Sequence, residues 1–404
     1  MRGFVAAEKR VRAVLRSSAV ILLIAIQTAA GAQDKHAGTG QTQREAVVNE
    51  SLYFSPYNTY SDGRGPMLSN NVHQGSSYAM WINPGAYLKA TFTGTAATLD
   101  IEVTGDATEQ PAKVRWSVDD APWTTGLLAF GIHAVTLASA SAKGRHSLEF
   151  IYAASDANVS RWREPLMALK VHGIELDADG ALERPTGSVT PFRKNVIFFG
   201  DSITEGAWVT GNSNRRVSGQ YVDWVSYSDA TLAWPRAVAA ALRAEFGVCA
   251  FGGTGWVTSP HPYVPPLPDS WSLYFEGHSR LQGGKLDPPP DYVIVNMGTN
   301  DPDHTRSEVI ESWLRQARAS VGPRASILLI VPFAGRNGDE IGKALQSVND
   351  PHSYKVDLGM QWTYGIGNYG HPSMRSMDGL HPSAAATAEY AAAVAAAIAR
   401  TVDH

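Results

Sequence analysis

The stretch Val196-Ile-Phe-Phe-Gly-Asp-Ser202-Ile-Thr-Glu-Gly206 passes from β-branched and aromatic residues straight into a Gly-Asp-Ser turn. A buried parallel strand ending in such a turn delivers the next side chain to the carboxyl edge of the sheet, where clefts open in α/β folds. Thr204, Glu205 and Gly206 read as the opening of a helix, whose first amides lack partners and favour developing negative charge. Ser202 is thus placed like a nucleophile, although a serine at a strand-helix junction also serves as a cap.

A nucleophilic serine needs a base, a group that orients the base, and donors for an oxyanion. Near the carboxyl end, Met377-Asp378-Gly-Leu-His381-Pro382 holds an Asp three residues before a His, bracketed by Gly and Pro that fix a loop. His381 would take the hydroxyl proton and return it to the leaving group, and Asp378 would hold the imidazole tautomer. The same tetrad also reads as an Asp-capped turn before the last helix. Asp291-Tyr-Val-Ile-Val-Asn-Met297-Gly-Thr-Asn300-Asp301 is a second buried-strand pattern, and Asn300 at its end offers an uncharged oxyanion donor or closes an Asx turn. A third strand, Val248 to Phe251, runs into Gly252-Gly-Thr-Gly255-Trp256, where backbone amides can approach a ligand closely. Gly255 is the expected second donor beside the Ser202 amide, with Gly252 and Gly253 competing for the position.

Four blocks in this order, Gly-Asp-Ser202-Ile-Thr, the glycine run to Gly255, Gly-Thr-Asn300-Asp301 and Asp378-x-x-His381, resemble the SGNH (GDSL) hydrolases. The resemblance spans about 193 to 404. It implies a three-layer α/β/α, flavodoxin-like domain in which Ser202 is the nucleophile, Gly255 and Asn300 the oxyanion donors, His381 the base and Asp378 its orienter. No metal or organic cofactor is expected.

A chain of 404 residues has room for two cores. A net charge of −4 gives no electrostatic footprint for nucleic acid. Arg10, Arg12 and Arg16 precede the apolar run Ala19 to Ile26 and the small-residue triplet Ala30-Gly-Ala32, the layout of a cleaved secretory signal over 1–32. The run is too short for a stable anchor, so a secreted or periplasmic chain without membrane insertion is expected. Cys249 is the only cysteine, which leaves no intramolecular disulfide, and it reads as a small core residue.

Residues 33–50 are polar and aperiodic, and a flexible terminus is expected there. Over 51–182, alternating segments recur between turn residues: Ser77 to Ile82, Tyr87 to Phe92, Ala97 to Val103, Lys113 to Val118, Gly131 to Leu137, His146 to Tyr152 and Leu166 to Leu176. That rhythm predicts an all-β, jelly-roll-like sandwich, followed by a Pro-containing linker over 183–192. Beyond Ser202, βα units alternate. Helices are expected over Ala230 to Phe246, Ser307 to Val321, Asp339 to Val348 and Ser383 to Arg400, and strands over 248–251, 292–297, 326–331 and 354–358.

Two insertions at the catalytic edge, Ala207 to Ser228 and Trp256 to Pro290, carry Trp208, Tyr221, Trp224, Trp256, Tyr263, Trp271 and Tyr274. Flat aromatic faces suit sugar rings, so Trp208, Trp224, Trp256, Tyr263 and Trp271 are candidate substrate contacts; packing of the loops on themselves is the alternative. His261, His304 and His371 fall in no metal-ligand spacing and read as loop histidines.

A β-sandwich ahead of an SGNH domain is similar to two-domain acetyl-xylan-type carbohydrate esterases, which implies removal of O-acetyl groups from carbohydrate through an acyl-enzyme. A lipase, arylesterase or thioesterase is the alternative within the same chemistry, and a glycan-binding module without turnover the alternative outside it.

Overall fold

The computed structural model describes residues 42–105, 110–139, 142–164, 166–211, 216–217, 220–221, 223–259, 264–302, 305–332, 335–359 and 380–402. Asp378, Tyr263, His261, His304, His371 and the expected signal segment lie outside the described residues, as does the side chain of Tyr221.

Period-two alternation builds the amino-terminal half. In Ala97–Thr104, the side chains of Ala97, Leu99, Ile101 and Val103 turn inward, and the residues between them are partly exposed. Two antiparallel sheets result. One orders the strands Thr59–Ser61, Ala79–Trp81, Ala168–Leu176, Ala97–Thr104 and Gly131–Ala138; the other orders Ala181–Glu183, Tyr87–Gly94, Gly144–Ala154, Ala112–Val118 and Thr124–Leu128. Between them Phe150 stacks against Trp81 on one side and Trp116 on the other, with centroids 6.2 Å apart in each pair. The expected flexible stretch is partly wrong. Gln43–Ala46 pairs with Ala168–Leu176 and Val47 is fully buried, because four residues with a polar outer face make an edge strand too short to show as periodicity.

The carboxyl-terminal half is a parallel sheet between two helical layers. Its strands are β1 (Lys194–Gly200), β2 (Ala244–Ala250), β3 (Tyr292–Asn296), β4 (Ser326–Ile330) and β5 (Ser353–Val356), in the order β2-β1-β3-β4-β5. That is the flavodoxin-like order, in which the switch point lies where β1 and β3 part. The helices that flank the sheet and carry its loops include α1 (Ser202–Glu205), α2 (Trp234–Leu242), α3 (Ser307–Val321), α4 (Gly338–Val348) and α5 (Ala384–Val402), besides the one-turn segments Trp224–Tyr227 and Leu267–Ser270. On one face, Trp234 and Val238 of α2 and Tyr390, Val394 and Ile398 of α5 cover Phe198, Ile294 and Leu328. On the other, Ile310, Trp313 and Leu314 of α3 and Ile341 of α4 cover Ile197, Phe199, Val293 and Leu329.

The helix expected to reach Phe246 stops at Leu242. Arg243 turns left-handed, with φ 52° and ψ 52°, and the chain enters β2 at Ala244. All seven residues of β2 are buried, Glu245 among them.

β2 is the edge of the parallel sheet, and the sandwich covers it. Asn83 Nδ2 donates to the Ala250 carbonyl at 2.7 Å. Glu245 accepts from Tyr87 Oη, from Lys89 Nζ at 2.7 Å and from the Phe192 amide at 2.9 Å. A buried carboxylate is tolerable only when its lone pairs are so filled. Arg236 on α2 meets Glu149 through two bonds of 2.7 and 2.9 Å. Lys113 donates to the carbonyls of Ser226 and Ser228, and burial draws its ammonium down to about 8. Tyr87 and Ile151 of the sandwich belong to the same apolar cluster as Trp234 and Phe246. The two halves therefore share a core.

Candidate active site

The nucleophile corner follows from four consecutive choices of residue. At Gly200 a Cβ would lie 2.0 Å from Thr204 Oγ1, so only glycine lets β1 turn this tightly. Asp201 caps α1, its Oδ1 accepting from the Ile203 amide at 3.0 Å. Ser202 is the first residue of α1, and its own N–H has no acceptor one turn back. Gly206 closes the turn in the left-handed region at φ 79°.

His381 comes to this corner from the other end of the chain. Just beyond it the Ala384 amide donates to the Val209 carbonyl at 2.8 Å, tying the start of α5 to the loop after α1. The imidazole Nε2 lies 2.8 Å from Ser202 Oγ, and both residues are 6 % exposed. In the tautomer with its proton on Nδ1, the ring accepts the serine hydroxyl proton, which is the geometry of a nucleophile with its base.

Asn300 follows β3 after Gly298. Its Nδ2 donates to the Thr254 carbonyl at 2.9 Å and only loosely to Asp201 Oδ2, at 3.4 Å. One N–H is thus anchored, and the second is held weakly enough to turn to a stronger acceptor. Asp201 is a carboxyl that the sequence reading passed over. Burial pushes it up to about 6, against the Ile203 amide and the attraction of His381, which both favour its anion.

Asp301 was also missed as a separate part. Its carboxylate accepts from the amides of Trp256, Val257 and Thr258 at 2.7, 3.0 and 3.0 Å, and so fixes the loop after the glycine run to the Asn300 corner. This corrects the reading of Gly255. Its amide donates to the Thr258 carbonyl at 2.9 Å, and a Cβ there would meet Asp301 Oδ1 at 2.1 Å, so this glycine makes room for Asp301. Gly252 instead faces the nucleophile: a Cβ on it would lie 3.6 Å from Ser202 Cβ. Neither Gly252 nor Gly253 donates its amide to another described residue.

Of the aromatic candidates, Trp256 and Trp271 pack edge-on against Trp313 under the sheet, and Trp208 packs against Trp224; they are 1 %, 4 % and 1 % exposed. The expectation that these three contact substrate is corrected: Trp256 and Trp271 fill the core between the sheet and α3, and Trp208 fills a small cluster with Trp224, as large apolar faces do when buried partners are within reach. Trp224 alone of the described set borders the site, edge-on to His381 at 6.2 Å. Cys249 is buried in β2, and burial raises its thiol.

A short strand-turn-helix corner carrying a serine, with a histidine at hydrogen-bond distance and an asparagine amide beside it on a 2-1-3-4-5 sheet, is the site of an acyl hydrolase class. The chain belongs to the GDSL-like lipase/acylhydrolase family, whose sequence model matches residues 198–400. Among solved structures it is similar to a family two carbohydrate esterase from Cellvibrio japonicus, at 18 % identity and a TM-score of 0.68, over 90 % of this chain and 99 % of that one. It is similar also to an acetyl xylan esterase from the rumen bacterium Butyrivibrio proteoclasticus (16 %, TM-score 0.66, 91 % and 99 %). A family two carbohydrate esterase from Clostridium thermocellum in complex with cellohexaose matches at 19 % and 0.64, over 85 % and 99 %. These likenesses extend the shared fold across the sandwich as well as the parallel sheet. No curated protein matches the sequence. Among the described residues no helix is long and apolar enough to cross a membrane.

Proposed function

We propose that this esterase removes O-acetyl groups from carbohydrate outside the cytoplasm, with Ser202 as nucleophile and His381 as base. The observation that carries the chemistry is the 2.8 Å approach of His381 Nε2 to Ser202 Oγ. Support for the substrate comes from the two-part fold shared with carbohydrate esterases over 85 to 91 % of the chain.

In this reading Ser202 Oγ attacks the acetyl carbonyl carbon as its proton passes to His381 Nε2. The carbonyl π electrons move to oxygen, and the oxyanion takes hydrogen bonds from Asn300 Nδ2, the Ser202 amide and the Gly252 amide. Collapse expels the sugar oxygen, which takes the proton from His381 and leaves acetyl-Ser202. Water, deprotonated by the same imidazole, then releases acetate. Asp378 is assigned to orient His381, with Asp201 adding a second negative charge nearby.

Asn300→Ala should lower kcat by about 100-fold or more and leave KM nearly unchanged, since the second N–H is used only when the oxyanion forms. Steady-state kinetics on p-nitrophenyl acetate check this; a pure KM effect would remove Asn300 from the oxyanion hole. Acetate release from a panel of acetylated polysaccharides tests the substrate. Turnover should favour acetate over octanoate esters and acetylated glycan over both; preference for octanoate would place the chain with the lipases, and no turnover with non-catalytic binding modules.

A further inference from the structure

Arg161 lies in the sandwich, between Gly144–Ala154 and Ala168–Leu176, far from Ser202 in sequence. Its side chain is 7 % exposed, and its Nη2 donates to both carboxylate oxygens of Glu205 at 2.9 and 3.0 Å. The Glu205 side chain is 4 % exposed. Glu205 is the last residue of α1, the short helix that Ser202 begins, and its amide donates to the Asp201 carbonyl at 3.1 Å. The carboxylate also lies under the oxyanion corner, since a Cβ on Gly252 would be 3.7 Å from Glu205 Oε1 and 3.6 Å from Ser202 Cβ.

The same guanidinium has two more contacts. Its Nη1 reaches the Ile82 carbonyl at 3.4 Å, which holds it to the sandwich, and its centre lies 5.3 Å over the ring of Phe251, the residue before Gly252. One buried cation thus touches the nucleophile helix and the strand end that leads to the glycine corner.

An unpaired carboxylate at Glu205 would oppose the reaction. Its negative charge would stand beside the position where the tetrahedral oxyanion develops, and at 4 % exposure it is poorly screened by solvent. It would also favour the protonated form of His381 and so withhold the base.

We propose that Arg161 is a positioning residue of the hydrolase site: supplied by the sandwich, it neutralises Glu205 beneath the nucleophile and locks α1 to the Phe251–Gly252 corner. This rests on the esterase reading of Ser202 and His381. It gives the sandwich a part in catalysis, because the parallel-sheet half carries the buried anion and the other half carries the cation that balances it.

The test is kinetic, on full-length protein with p-nitrophenyl acetate, comparing wild type with Arg161→Met, Arg161→Lys, Glu205→Gln and the double variant Arg161→Met/Glu205→Gln. Arg161 pairs with Glu205, the Asp201 carboxyl interacts with both Glu205 and His381, and the buried Tyr152 hydroxyl lies near Glu205 and Arg161. Arg161→Met should lower kcat by about 10- to 100-fold and move the acid limb of the pH–rate profile to higher pH, as an unpaired anion holds the proton on His381. Glu205→Gln should move that limb to lower pH, because an unpaired cation repels the imidazolium. The double variant should return the limb to the wild-type position, and Arg161→Lys should keep most of kcat. Melting temperatures are read for each, and the pH midpoints remain informative for any variant that folds less stably. Equal losses in both single variants with unmoved midpoints would overturn the proposal and leave a bridge of structural value only. Absence of Ser202-dependent turnover in wild type would overturn the esterase reading, and this inference with it.

Discussion

Ser202→Ala should lower kcat on p-nitrophenyl acetate by about 10,000-fold or more while leaving the melting temperature within a few degrees of wild type. The loss is large because Ser202 Oγ, 2.8 Å from His381 Nε2, is the attacking atom, and the covalent route closes when it is removed. The fold should tolerate the change. Alanine retains the Cβ of the first residue of α1, and the cap is made by Asp201 through the Ile203 amide rather than by the serine hydroxyl. Retained turnover in this variant would sink the assignment of nucleophile and base together. Mass spectrometry of wild type quenched during turnover should show one acetyl group on the peptide containing Ser202, and none on Ser202→Ala.

His381→Ala should cost a similar factor, and the double variant Ser202→Ala/His381→Ala should be little worse than either alone, since the two groups act as one unit. In wild type, kcat/KM should fall by about tenfold per pH unit on the acid side as the imidazole is protonated and can no longer accept the hydroxyl proton. The direction is fixed by the role: a general base is active in its neutral form, so rate is lost as pH decreases. A flat profile between pH 5 and 8 would contradict His381 as base. Burial pushes the Asp201 carboxyl, which interacts with His381, up to about 6, so its charge changes within the range of that assay. Asp201→Asn removes that charge, and the acid limb of the profile should change shape in the variant.

Much of this architecture is legible in the sequence, and the reason lies in local chemistry. Val196 to Phe199 and Tyr292 to Val295 are apolar on both faces, so they read as covered parallel strands, and the structure places them side by side as β1 and β3. Ser307–Val321 is bounded as a helix where periodicity places it. Ser202, Asn300 and His381 were nameable because each stands at the end of such an element with a turn residue beside it, and the structure gathers them within one corner. Gly255 was misplaced because a glycine's motif does not say whether it faces a ligand or a neighbour. Its backbone is crowded by the Asp301 carboxylate, and Gly252 faces Ser202 instead. The aromatic loops were misread for a like reason: Trp256 and Trp271 meet Trp313, which lies on a helix more than forty residues further along.

The helix that was expected to continue to Phe246 shows where local reading stops. Ala-rich sequence favours helix through this stretch, but Arg243 reverses the chain and Glu245 is buried in a strand. Such a strand is stable only because Tyr87 and Lys89, more than 150 residues earlier, supply hydrogen-bond donors to its carboxylate. Nothing in the neighbourhood of Glu245 announces them.

By itself the sequence determined a covered parallel sheet, a serine on its carboxyl edge, and the histidine and asparagine that the fold brings to the same corner, because strand burial and turn chemistry act over a few residues. Only the tertiary structure decided that Asp301 fills the space at Gly255, that Gly252 borders the nucleophile, and that Arg161 of the sandwich meets Glu205. Those outcomes depend on where charges and rings find partners across long stretches of chain, and a buried charge is settled by whichever distant group arrives to match it.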